Sequence, residues 1–527
     1  MQSKYHRIVA VSVTALLVFG STVVAQPGSG ALQQRIIKAD LLKPQGRFSN
    51  VYDLCIGAGR ASEGLRADWQ QQLSFIKKEL GFKYIRFHGL LNDEMQVYKE
   101  NKEGQPAYNW QYVDKLYDFL LGIGIRPFVE LGFMPPDLAS GTKTVFWWKG
   151  NVTPPKSYEK WSDLVTALVK HWEERYGRPE LEKWYFEIWN EPDLGGFFSG
   201  TQEEYFKLYQ VSVAAIQSVS KTYRVGGPAT ARNGWISPFL KFCADNKVPL
   251  DFVSTHSYNT KSVLDEFGIN KRRLVAKDYL PEAVKKVRRM IDSTIFKNTE
   301  LHYTEFNSSP SSRDPIHDTH QNAAWLLTTL KHTGTVAHSM SYWTFTDIFE
   351  EAGPGMTSFH GGFGLLNLQG IPKPTFHAYK FMSELGKTEL ANTDSSSWIC
   401  RNEKGIQVLF WNLYMPFNDT TTFDEIYFRK NIPAEEEGTV SISIDHVPNG
   451  KYSMSVYKVG YHFNDPYSAY LEMGAPANLS IKQEAELREI SSGKPVEKKQ
   501  ITITNGKFES RYSVKKNDII FIKLDRI

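Results

Sequence analysis

Between Val51 and Leu385 short apolar runs alternate eight times with longer amphipathic ones, and no other feature of the chain constrains its fold as strongly. The runs with strand character are Val51–Gly57, Tyr84–His88, Arg126–Glu130, Trp184–Trp189, Arg224–Gly227, Phe252–His256, Leu301–Thr304 and Ser339–Trp343. Helical spacing of apolar residues marks Asp68–Leu80, Tyr112–Leu121, Tyr158–Tyr176, Glu203–Ser220, Pro238–Asn246, Glu282–Asp292 and Asp318–His332, and Phe376–Leu385 closes the series. Strands joined through helices pair in parallel, and eight such units are the number that closes a parallel sheet on itself. The expectation is an α/β fold, a (β/α)8 TIM barrel over residues 51–386, with its chemistry at the C-terminal strand ends.

After Gly386 the period changes from helical to two-residue. Gln407–Asn412, Thr439–Asp445, Tyr452–Val459, Gln500–Thr504 and Asp518–Lys523 read as strands, separated by turn signals such as Asn449-Gly450 and Asn505-Gly506. A β-sandwich domain over 387–527 is expected. Within the 26–50 segment, Gln33–Lys43 has the character to add a strand to it. No repeat and no long linker separates the two parts, so they are expected to pack together.

Lys4, His6 and Arg7 precede an apolar run from Ile8 to Phe19, and Ala25 has a small residue two positions before it, the pattern of a signal peptide over 1–25 cleaved after Ala25. Export to the periplasm or the medium is the corresponding expectation. The apolar run is too short to span a bilayer comfortably and no second long one follows, so no membrane partner is expected. Removal of the leader takes Lys4 and Arg7 with it, leaving 60 basic against 58 acidic residues, a net charge of +2. A balance that even argues against nucleic acid as a partner. The three cysteines, Cys55, Cys243 and Cys400, are odd in number and far apart, which supports neither a disulfide framework nor a metal site. Sequons stand at Asn151, Asn307, Asn418 and Asn478.

Chemistry-bearing residues fall where the barrel would use them. The fourth run ends in Trp189-Asn-Glu191-Pro-Asp193, and the seventh continues into Tyr303-Thr-Glu305-Phe-Asn-Ser308. A lone glutamate after a strand is ordinarily a cap or a surface group. Strands four and seven face each other across an eight-stranded barrel, however, and two carboxyls converging on one cleft suit glycoside hydrolysis, one protonating the leaving oxygen and the other attacking the anomeric carbon.

These two stretches resemble the acid/base and nucleophile motifs of the large barrel clan of retaining glycosidases. More narrowly, Arg86-Phe-His-Gly89 with Asp93, Thr255-His-Ser-Tyr258, Pro315-Ile-His-Asp-Thr319, the Ser341–Glu351 stretch and Phe359-His-Gly-Gly-Phe-Gly364 resemble glycoside hydrolase family 39, and within it the β-xylosidases. The resemblance implies that Glu191 is the general acid/base and Glu305 the nucleophile of a retaining, exo-acting β-D-xylosidase acting on xylo-oligosaccharides or other β-xylosides. It implies that Glu191 has a raised pKa, which the negative charge of Glu305 would supply. Asn190 would bind the sugar 2-hydroxyl. His88, His256 and Tyr258 would contact substrate, Trp343 would form the sugar platform, and Glu350 or Glu351 would bind hydroxyls of the glycone. Phe133, after the third strand, is a further candidate for the pocket wall. No cofactor or metal is implied, and a homo-oligomer stays open. The same fold acting on α-L-arabinosides or α-L-iduronides is the nearest alternative, with Arg313 as the cation an iduronate carboxylate would need. A non-catalytic secreted carbohydrate-binding protein is the alternative from another class, though it would predict a lost carboxylate.

Overall fold

The computed structural model describes residues 33–264, 270–274, 277–415 and 427–527. The expected leader 1–25 and the sequon at Asn418 lie outside them. Eight strands close into a barrel in sequential order, each parallel to both neighbours: β1 Cys55–Arg60, β2 Tyr84–His88, β3 Arg126–Leu131, β4 Tyr185–Ile188, β5 Arg224–Thr230, β6 Phe252–Tyr258, β7 Glu300–Asn307 and β8 Ser339–Tyr342. Helices cover the outside, so β1, β2 and β4 are buried along their whole length and carry no exposed face to alternate with.

The first strand is displaced from its expected place. Val51–Leu54 forms a turn, and the strand is Cys55-Ile-Gly-Ala-Gly-Arg60, whose glycines give it weak strand character in sequence. Gly57 is there for space: a Cβ would lie 2.3 Å from the Trp343 ring.

Along the barrel axis the filling changes from apolar to charged. The N-terminal end is plugged by Cys55, Tyr84, Phe128, Tyr185 and Phe252, with the rings of Phe128 and Tyr185 stacked at 4.7 Å. Two residues further along the same strands come Arg86, Glu130 and Glu187, all buried. Such groups are stable inside only when paired.

Two sheets follow the barrel. One has seven strands in the order Pro44–Arg47, Thr388–Leu390, Ser397–Arg401, Gly405–Trp411, Ile519–Arg526, Gly450–Val459 and Glu497–Ile503. The other has three, Gln33–Asp40 parallel to Glu436–Asp445, and Glu436–Asp445 antiparallel to Lys507–Lys515. Their inner faces share one core that includes Ile37, Val408, Ile442 and Ile522. The Asn449-Gly450 and Asn505-Gly506 turns each carry the chain from one sheet to the other, and the side chain of Asn449 accepts from Gly506 N at 2.8 Å. Against the barrel, Phe521 stacks on Phe381 and Trp411 donates to Thr328 at 2.8 Å. Cys55, Cys243 and Cys400 are free and buried. No helix among the described residues is long and apolar enough to cross a membrane.

Candidate active site

At the C-terminal end of the barrel a cavity of about 240 Å³ is walled by His88, Asn190, Glu191, Tyr258, Glu305, Trp343 and Glu351, with Arg232 and Phe363 also in its lining. The chain leaves β4 through two left-handed residues, Trp189 (φ 71°) and Glu191 (φ 45°), a conformation that residues carrying a Cβ tolerate poorly. Glu191 N donates to Ala229 O at 2.8 Å, which pins the turn to the neighbouring strand. On β7 a bulge does the aiming: Thr255 pairs with Tyr303 but His256 pairs with Glu305, so Thr304 is the extra residue. As a result Thr304 and Glu305, adjacent in sequence, both reach interior partners.

Arg86 is the centre of the charged layer. Fully buried, it donates from Nη1 to Glu305 Oε1 at 2.8 Å, from Nε to Glu187 Oε2 at 2.5 Å and from Nη2 to Asn190 Oδ1 at 2.9 Å, and Nη2 lies 2.9 Å from Glu130 Oε2. Burial works against its charge, yet the carboxylates of Glu187, Glu130 and Glu305 outweigh that and hold it far above its ordinary value. The opposite carboxylate oxygen of Glu305 accepts from Tyr258 Oη at 2.7 Å. Glu305 therefore accepts from a donor on each of its oxygens. Asn190 presents its amide oxygen to Arg86, which leaves the amide nitrogen as the donor it can offer the cavity.

Burial raises the pKa of Glu191 to about 7, against the pull of His88, Arg86 and Arg232 and with a further push from Glu130. The cause thus differs from the expected one, the charge of Glu305: loss of solvent does most of the lifting, and the carboxylate that adds to it is Glu130. One oxygen of Glu191, one of Glu305 and a ring nitrogen of His256 all lie within 4.8 Å of one another. Three such groups could in principle hold a metal ion, but Arg86, Tyr258 and His256 already occupy these oxygens and the guanidinium supplies the positive charge.

Three of the candidate residues stand off the cavity wall, which corrects the expectation for His256 and settles the open choice at Glu350 and Phe133. His256 does not wall the cavity: it is fully buried behind Glu191, with Nδ1 at 3.0 Å from Glu191 Oε1 and Nε2 at 3.1 Å from Thr304 Oγ1, so neither nitrogen is left for a sugar. Glu350 turns away, its carboxylate held by Arg60 at 2.8 Å and Arg66 at 2.9 Å, and Glu351 is the member of the pair that faces inward. Phe133 is fully buried one layer back, its ring 6.0 Å from His88 and 5.5 Å from Trp189. His88 bridges Glu130 (2.7 Å) and Glu351 (3.4 Å); burial opposes its charge, but those carboxylates prevail and raise its pKa to about 10. Burial raises Glu351 to about 7 in turn, against the pull of His88. Trp343 lies under His88, ring centroids 4.8 Å apart, and its carbonyl accepts from the Asn307 side chain at 2.5 Å. The sequons at Asn151 and Asn307 are buried and hydrogen-bonded, which leaves no room for a glycan at either.

Arg86, Glu130, Glu187 and Thr304 were not singled out as site residues from sequence. Arg86 stands in the Arg86-Phe-His-Gly89 motif, and its place two residues before His88 on one strand is the signal the sequence offers. Glu130 closes the third strand-like run, the kind of position where a barrel's chemistry sits, whereas nothing local marks Glu187 and the role of Thr304 depends on the bulge.

The family model described as glycosyl hydrolases family 39 matches residues 35–508. The chain belongs to family 39. A β-xylosidase of Caldicellulosiruptor saccharolyticus is 39% identical over 490 residues, covering 92% of this chain and 96% of that protein. One from Geobacillus stearothermophilus is 42% identical over 412 residues, covering 74% and 82%. The solved structure of a GH39 enzyme from Xanthomonas axonopodis pv. citri superposes with a TM-score of 0.91 at 37% identity, covering 95% of this chain and 99% of that one. As a family 39 protein with relatives this similar over most of its length, the chain is a glycosidase.

Proposed function

We propose that this glycosidase is a retaining, exo-acting β-D-xylosidase that releases xylose from xylo-oligosaccharides or other β-xylosides. The observation that carries retention is the separation of the two carboxyls, oxygens within 4.8 Å across one cavity. Retaining enzymes place the pair about 5–5.5 Å apart, whereas inverting ones need about 6.5–9.5 Å to seat a water between them. In the first step Glu305 attacks the anomeric carbon as the bond to the leaving oxygen breaks and Glu191 gives that oxygen its proton. In the second, Glu191 takes a proton from the attacking water as the Glu305 ester bond breaks. Glu191 still protonated near neutrality is the state the first step requires of the acid, and Arg86 and Tyr258 hold the attacking carboxyl of Glu305 in place. Asn190, through its amide nitrogen, is assigned to the 2-hydroxyl, His88 and Glu351 to the other hydroxyls, and Trp343 to the ring face. A cavity of about 240 Å³ suits one sugar ring, in keeping with exo action. The names of the similar proteins support xylose as that sugar. We place the enzyme outside the cytoplasm on the strength of its N-terminal sequence.

Arg313 does not speak for iduronate, because its guanidinium is spent on the carbonyls of Ser312 and Gly353. Arg232 is the arginine in the lining. Aryl β-D-xyloside, α-L-arabinoside and α-L-iduronide assayed side by side test the substrate, and NMR of the first-formed xylose tests the stereochemistry. The β anomer is expected first; the α anomer would overturn retention.

A further inference from the structure

The charged layer contains a chain of four hydrogen bonds that the reaction does not consume. Its members are Arg86, Glu187, Thr304, His256 and Glu191. Thr304 Oγ1 lies 2.8 Å from Glu187 Oε1 and 3.1 Å from His256 Nε2, and the hydroxyl has one proton to give. The other oxygen of Glu187 accepts from Arg86 Nε at 2.5 Å, with both groups fully buried. A carboxylate paired in this way is ionised and has no proton to return, so the threonine proton goes to Glu187 and Oγ1 must receive from His256. Nε2 of His256 is thus the protonated nitrogen. A neutral imidazole with its proton on Nε2 has a lone pair on Nδ1. That lone pair points at Glu191 Oε1, 3.0 Å away. Two lone pairs at that distance repel, and the contact is a hydrogen bond only when Glu191 carries the proton.

We infer that Thr304 and Glu187 are positioning residues that lock His256 in the Nε2–H tautomer, so that its Nδ1 holds Glu191 in the acid form. The inference rests on the acid/base reading of Glu191 above. The charge states around the pair agree with it. His256 is kept neutral: burial lowers its pKa to about 4, and the pull of Glu305 and Glu187 does not offset burial together with Arg86 and His88. Glu191 is faced by His88, Arg86, Arg232 and Glu130, with Glu305, Glu351, Tyr258 and Asp193 also close by, and burial is what raises Asp193. One guanidinium therefore acts on both carboxyls. Arg86 donates to Glu305 directly and, through Glu187, Thr304 and His256, sets the tautomer that faces Glu191, a contact that favours the acid form against the downward pull of the guanidinium's own charge. Once Glu191 has given its proton to the leaving group, its carboxylate faces a lone pair, which makes it the stronger base for the second step.

The test reads the tautomer and the pH profile separately. In the full-length enzyme labelled with ¹⁵N-histidine, the His256 resonance, assigned by its loss in His256→Asn, is expected with the proton on Nε2 and a bare Nδ1. Thr304→Val removes the acceptor, frees His256 to donate from Nδ1 to a Glu191 carboxylate, and moves the alkaline limb of kcat/KM to lower pH by about one pH unit. Thr304→Ser restores both tautomer and limb. Glu187→Gln, of the same shape, offers its amide oxygen to Arg86 and its NH2 to Thr304, which reverses the chain and puts the proton on Nδ1. A proton on Nδ1 in the wild-type enzyme would overturn the proposal, as would an unmoved limb in Thr304→Val. Failure of the acid/base reading looks different: the tautomer stays as described while Glu191→Ala retains the limb.

Discussion

Lys373 offers the sharpest test of how the cavity wall is held. Its ammonium is fully buried, 2.6 Å from Asp318 Oδ1 and 2.6 Å from Asp347 Oδ2, and it donates to Gly362 O at 2.9 Å. The two aspartates accept from Gly361 N (2.8 Å) and Gly364 N (2.7 Å), so the three side chains fix the segment that puts Phe363 into the cavity lining. The segment is tight as well: a Cβ on Gly362 would lie 2.3 Å from Asp347 Oδ1. Lys373→Met keeps the volume and removes the charge, leaving two buried carboxylates without a cation. Breaking a buried pair costs about 3–5 kcal/mol, and at roughly 2 °C per kcal/mol for a large domain the melting temperature falls by about 8 °C near neutral pH. Burial already raises the Asp318 carboxyl, and without Lys373 the folded-state value rises further above the unfolded one. Protonation then favours the folded state, so the deficit is greatest at high pH and shrinks as pH falls through the raised value. Adding Asp318→Asn and Asp347→Asn removes the uncompensated charges while keeping acceptors for the glycines, and most of the loss is expected to return. Thermal melts of the three proteins, wild type, single variant and triple variant, across pH 5–8 measure this. A loss below about 1 kcal/mol in the single variant, or a triple variant less stable than it, would refute the reasoning.

Arg86→Lys cannot reach Glu305, Glu187, Glu130 and Asn190 together, and at about 1.5–3 kcal/mol per hydrogen bond to a charged group kcat should fall at least tenfold; a wild-type rate sinks the central role given to this guanidinium. The kcat/KM profile should fall as pH rises through about 7, where Glu191 loses its proton. Glu351 titrates in the same region, so Glu351→Gln must keep that limb while raising KM; loss of the limb would transfer it to Glu351. Gly57→Ala pushes a methyl into the Trp343 ring and should cost about 1–3 kcal/mol, with kcat/KM reduced beyond what the loss of folded protein explains; an unchanged kcat/KM would show that Trp343 is not placed by this packing.

Much of the protein was legible in its sequence because the relevant signals are local and periodic. Tyr84–His88 and Tyr158–Tyr176 stand where the apolar spacing puts them, since burial on one stripe or both faces is written into consecutive residues. Glu191 and Glu305 were found by counting strands, because a closed barrel brings its fourth and seventh strand ends to one mouth. The first strand lies a few residues beyond its expected place because Gly57 and Gly59 weaken its strand character, and Gly57 is required by Trp343, a residue nearly three hundred positions away. What the glutamates do to each other was decided only by the tertiary structure. The bulge at Thr304, the choice of Glu351 over Glu350, the withdrawal of His256 and Phe133 from the wall and the burial that lifts Glu191 all depend on contacts between distant segments. Sequence by itself determined which groups could ionise and roughly where they meet; packing decided which of them carries the proton, because that depends on how much water is excluded and on which cation stands within hydrogen-bond reach.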